Sequence, residues 1–77
     1  MTRTYHVMVE RDDEAWRAVC PSLRDHGAVT GGKNREEALT HMEGVLAMIL
    51  SEITASGATP PPDEVVPGGI PLTVETG

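Results

Sequence analysis

Residues 5–10 alternate as a strand does. Tyr5, Val7 and Val9 fall on one face, and His6, Met8 and Glu10 on the other. The polar run Arg11, Asp12, Asp13, Glu14 reads as a turn. Residues 15–20 read as a second strand, with Trp16, Ala18 and Cys20 on one face, so the two segments predict a β-hairpin. Pro21 has no N–H for a ladder and ends that strand. Residues 22–27 are expected as a loop, and residues 28–30 as a short third strand leading to Gly31 and Gly32.

The pattern then changes period. Ala38, Met42, Val45, Ile49 and Ile53 recur at helical spacing, and Leu39, Leu46 and Leu50 widen the stripe. Asn34 is a good N-cap, with Glu37 three residues later as in a capping box. Glu36 and Glu37 suit the positive end of the helix dipole. Gly57 is the expected stop. Gly44 costs about 1 kcal/mol against Ala inside a helix, and is read as a place where another backbone comes close.

Beyond Gly57, Pro60, Pro61, Pro62 and Pro67 make residues 58–69 an irregular connector, partly polyproline II. Ile70, Leu72 and Val74 then share one face of a last strand over residues 70–75. The expectation is a single α+β domain over residues 1–77, ordered β-β-β-α-β, with a small antiparallel-type sheet covered by one helix.

Composition narrows the function. The chain has 77 residues, with 12 acidic against 6 basic side chains and a formal net charge of -6. Binding nucleic acid without sequence preference needs Lys and Arg to neutralise phosphates, so no direct DNA binding is expected. The acidity serves solubility, or complements a basic partner. Tyr5 and Trp16 are the only aromatic residues, too few for a base-stacking platform. Cys20 is the only cysteine, which rules out an internal disulfide and fits a reducing compartment. The N-terminal residues carry no apolar signal core and no apolar run reaches membrane-spanning length, so a cytoplasmic protein without membrane contact is expected. A domain this small gains stability from association, which favours a homo-oligomer.

The reactive residues do not converge. A nucleophilic cysteine needs a nearby base, whereas Cys20, set before Pro21 at the end of an apolar strand, reads as a small buried hydrophobe. His6, His26 and His41 fall on a strand, a loop and a helix without metal-ligand spacing, and read as surface or edge histidines. Asp12, Asp13 and Glu14 cluster in a turn, while two-metal sites gather carboxylates from different elements. Gly31 and Gly32 match neither phosphate-binding loop pattern and serve to turn the chain toward the helix. No catalytic, metal or cofactor site is expected.

The ordered set of motifs is familiar. Trp16-Arg17-Ala18-Val19-Cys20-Pro21-Ser22-Leu23, then Gly27-Ala28-Val29-Thr30-Gly31-Gly32, then Arg35-Glu36-Glu37-Ala38-Leu39 resembles the HicB antitoxin family over roughly residues 5–62. Members typically show an aromatic strand running into Cys-Pro-Asp-Leu-Pro-Gly-Cys, a short strand ending in Gly, and Glu-Glu-Ala-Leu opening a helix. This chain departs at Arg17, at Ser22, in the longer loop Arg24-Asp25-His26, and at Ala28.

The resemblance implies a partial RNase H-like domain without that fold's catalytic residues. It also implies a partner: a small basic HicA-type toxin that cleaves mRNA and is neutralised when its active site is covered. About 20 residues follow the helix, too few for the DNA-binding domain many members carry, so a stand-alone domain is expected. On the physical side, Glu10, Asp12, Asp13 and Glu14 are the candidate partner-binding residues, steering a basic protein toward this chain. Two alternatives stand beside this reading. One is an orphan oligomeric module without a toxin, its strand at residues 70–75 pairing with another subunit's sheet edge. The other is an acidic inhibitor of a different nucleic-acid enzyme.

Overall fold

The computed structural model describes residues 2–75. Strands β1 (Thr2–Asp12) and β2 (Ala15–Val19) form a hairpin. A 3-10 helix (Pro21–His26), strand β3 (Val29–Gly32), helix α1 (Arg35–Ala55) and strand β4 (Ile70–Glu75) follow. The sheet has four strands in the order β3-β2-β1-β4, every neighbouring pair antiparallel. This is the expected α+β, β-β-β-α-β arrangement with one covering helix.

Alternation decides which face the helix covers. Tyr5, Val7, Ala18, Leu72 and Val74 point to one side and are buried there. Ala38, Met42, Leu46, Ile49, Leu50 and Ile53 of α1 pack onto them. Cys20, Leu23 and Ala28 close one end of this layer, and each is fully buried. Removing a Leu, Ile, Val or Met side chain from water stabilises by roughly 1.5–3 kcal/mol, so the one-sided layer is the main source of cohesion. Leu39, Val45 and Trp16 pack at its margin.

The helix ends carry the local chemistry that the sequence called for. The Asn34 side chain accepts the Glu37 N–H at 2.7 Å. Glu37 reaches back to accept the Lys33 N–H at 3.0 Å, one residue before the cap. At the other end Gly57 is left-handed, with φ 83°. Its N–H donates to Thr54 O, and Ala58 N–H donates to Ile53 O, the paired bonds of a Schellman stop.

Several expectations are corrected. The first strand runs over Thr2–Asp12, longer than residues 5–10, because Asp12 still pairs with Ala15 and the N-terminal half pairs with β4. The hairpin tip is therefore Asp13 and Glu14 alone. Asp13 takes φ 55°, the positive angle that a two-residue hairpin turn needs at its first position. Residues 21–26 form two short 3-10 turns joined at a kink at Leu23, the first started by Pro21, where a loop was expected.

The third strand is Val29–Gly32, shifted from residues 28–30, and it includes both glycines. A Cβ on Gly32 would lie 2.5 Å from Ala38 N, so this glycine lets α1 start against the strand. Gly44, by contrast, has no atom near the position of a Cβ, so no backbone approaches it. Finally, β4 pairs with β1 of its own chain over Thr2–Val7, so residues 70–75 are not a free strand.

Candidate partner-binding surface

One face of the sheet has no helix on it. Strand register places Met8, Val19 and Val29 in one row across β1, β2 and β3, on the side away from α1. Met8 is 46% and Val29 41% exposed. The sequence carried a signal for this row, since Met8, Val19 and Val29 are apolar at positions where the alternation calls for polar residues. Beside the row lies a shallow depression of about 150 Å³, floored by Met8, Val19 and Pro21 and rimmed by Glu10, Arg17 and Arg24.

The candidate acidic residues adjoin this row. Glu10 lies on the same open face, directly across from Arg17, and Asp12 is two residues further along β1, across from Ala15. Asp13 and Glu14 form the hairpin tip, and all four are exposed. The fold thus brings Glu10 and Asp12 onto one face and sets Asp13 and Glu14 at its end. Among the described residues none of the four forms an ion pair. The Arg11 Nε donates to the Asp13 carbonyl at 3.3 Å, which holds the tip.

At the other end of the strands a strap made by the Pro-rich segment is tied down. Asp63 accepts the His6 backbone N–H at 2.8 Å through one oxygen and meets the His6 ring Nδ1 at 2.5 Å through the other. The Tyr5 hydroxyl donates to the Pro61 carbonyl at 2.6 Å. The Glu64 N–H donates to the Ser22 hydroxyl at 2.7 Å. Sequence reasoning missed Asp63, because a single acid in a Pro-rich stretch has no periodic context.

The remaining reactive groups are dispersed. His41 Nδ1 bonds the Gly31 carbonyl at 2.7 Å, and His26 is exposed on the 3-10 helix. No group of three His, Cys, Asp or Glu side chains with metal-binding geometry occurs among the described residues. Cys20 is buried and free, and burial pushes its thiol above the ordinary value of 9.0. A neutral, enclosed thiol is a poor nucleophile. No described helix is long and apolar enough to cross a membrane. What the open face offers chemically is a short, partly exposed apolar row with flanks of both charges.

Comparison of the chain with protein-family models, with curated proteins and with solved structures gives no match in any of the three.

Proposed function

We propose that this chain is a HicB-like antitoxin-type binding module whose open sheet face and acidic hairpin dock a small basic HicA-type toxin and cover its RNA-cleaving site. One observation carries the reading: the apolar row Met8–Val19–Val29, exposed at Met8 and Val29 and half-buried at Val19, adjoins Glu10 and Asp12 on the same face, with Asp13 and Glu14 at the hairpin tip. The row supplies the apolar centre that an interface needs, and the hairpin carboxylates, beyond the mixed rim of Glu10, Arg17 and Arg24, supply charge opposite in sign to a phosphate-binding surface. The motif order from Trp16 to Leu39 supports the same reading. In this reading the domain acts by binding alone, from the cytoplasm.

Association kinetics test it. The chain with Glu10, Asp12, Asp13 and Glu14 replaced by Gln or Asn should associate with its basic partner about ten- to a hundredfold more slowly at low salt. Its on-rate should also depend less on ionic strength. An unchanged on-rate and salt slope would reduce the acidic hairpin to a solvated surface and leave the proposal without its electrostatic basis.

A further inference from the structure

The two edges of the sheet are finished differently, and the hydrogen-bond directions show how. His6 is the register partner of Pro71, yet its N–H donates to Asp63 and Pro71 has no N–H to return. His6 and Pro71 are therefore a non-hydrogen-bonded pair. The same parity makes Thr4–Thr73 and Thr2–Glu75 non-hydrogen-bonded pairs, in keeping with their close approach: the Thr4 and Thr73 hydroxyls bond at 2.8 Å. It follows that the backbone groups of Pro71, Thr73 and Glu75 point away from β1, to the outer edge of β4.

On the opposite edge, parity turns Val29 and Gly31 outward, and the fold engages one backbone group of each. The Val29 N–H donates to the Gly27 carbonyl at 2.8 Å, and the His41 ring bonds the Gly31 carbonyl at 2.7 Å. No such closure is made at Thr73 or Glu75 among the described residues. A six-residue edge strand without a lysine or a covering segment is a template for strand addition.

We infer that the β4 edge pairs antiparallel with the β4 edge of a second copy of this chain, about a two-fold axis through Thr73, to give one continuous eight-stranded sheet. The edge is self-complementary in this register. Thr73 faces Thr73 of the second copy, and each N–H donates to the other's carbonyl. Glu75 faces Pro71 of the second copy, so the Glu75 N–H donates to a carbonyl whose residue has no N–H of its own. Every outward donor at Thr73 and Glu75 finds an acceptor, and the missing Pro71 N–H leaves only the Glu75 carbonyl without a partner from the second strand. The open face and acidic hairpin lie toward the other side of the sheet, so this contact is independent of the proposed partner docking. The two also respond oppositely to salt. Screening the charge of -6 on each copy favours the pair, whereas screening weakens attraction to a basic protein.

Sedimentation equilibrium with Thr73→Pro and Thr73→Val tests the contact. The Thr73 N–H is unused in pairing with β1, so proline at this edge position leaves the subunit's own ladder intact. Both variants lose the hydroxyl bond to Thr4, but only proline removes the outward donor. The expected result is a dimer for the native chain and for Thr73→Val, tightened by salt, with association of Thr73→Pro weakened about tenfold or more. A native chain that stays monomeric at about 100 μM, or a Thr73→Pro dimer of undiminished strength, overturns the inference. Amide exchange on the native chain decides the matter if Thr73→Pro does not fold. The Thr73 and Glu75 amides should slow as concentration rises, and concentration-independent exchange at both overturns it.

Discussion

Asp63 occupies the place beside His6 that a neighbouring strand would hold. Strand β2 stops at Val19, opposite Met8, so β1 continues past its partner with His6 next in line on that side. The Asp63 carboxylate accepts the orphaned His6 N–H at 2.8 Å and engages the ring through its second oxygen. The Pro-rich strap is thereby fixed to the sheet by a side chain standing in for a backbone carbonyl. Replacing Asp63 by Ala leaves a partly buried N–H without an acceptor, which should cost about 1–3 kcal/mol in a urea unfolding titration. Asp63→Asn keeps one acceptor and should lose less. His6→Ala keeps the backbone bond and should also lose less than Asp63→Ala. A loss for His6→Ala equal to that for Asp63→Ala would mean that the ring contact, not the backbone bond, holds the strap.

Two glycines should respond to alanine in opposite directions. A Cβ at Gly32 meets Ala38 N at 2.5 Å and Glu37 at 2.9 Å, all on the first turn of α1, where no flexible side chain can yield. Gly32→Ala should therefore destabilise by about 2–3 kcal/mol or more through a forced shift of the helix. Gly44 lies in an exposed stretch of α1 with open space around it, and Gly44→Ala should stabilise by about 1 kcal/mol. Paired thermal melts are the check. A stabilised Gly32→Ala would contradict the close approach of strand and helix.

Stability should fall on the alkaline side. Burial raises the thiol of Cys20 above 9.0, with the Leu23 and Ser22 N–H groups pulling the other way. Burial also raises the Tyr5 phenol above 10.0, opposed by Arg3. In both cases the unfolded chain releases its proton first. The stabilisation is therefore complete below the ordinary values, and is lost as pH rises through the higher folded ones. Urea midpoints should be level up to about pH 9 and then decline, and Cys20→Ala should remove the earlier part of the decline. In the native state at pH 8, alkylation of Cys20 should be about a hundredfold slower than in urea, or slower still.

The elements with a strong period were legible from the residues. The stripe from Ala38 to Ile53, the cap at Asn34 and the stop at Gly57 lie where sequence alone put them, because those signals are local. The ends of β1 were not, since Thr2, Thr4 and Asp12 are polar and their strand state comes from pairing with β4 and β2. Asp13 at positive φ hid the tight tip, since a glycine there would have marked it. Gly44 misled, because a missing Cβ marks a close approach only when something fills the space. The acidic residues of the candidate surface were legible as a cluster. Their neighbours Met8, Val19 and Val29 became a single row only through cross-strand register, which no one segment encodes.

In the proposed function this domain silences a basic ribonuclease by binding it. The most direct measurement is mRNA cleavage by a small basic protein encoded beside this chain, the neighbour that the proposal requires, titrated with rising amounts of the domain. The expected result is that cleavage stops near stoichiometric amounts. It should return, at the same ratio, when Met8 and Val19 are replaced by Asp and the acidic hairpin is neutralised. Cleavage that persists under excess domain, or the lack of any such basic neighbour, would contradict the proposal.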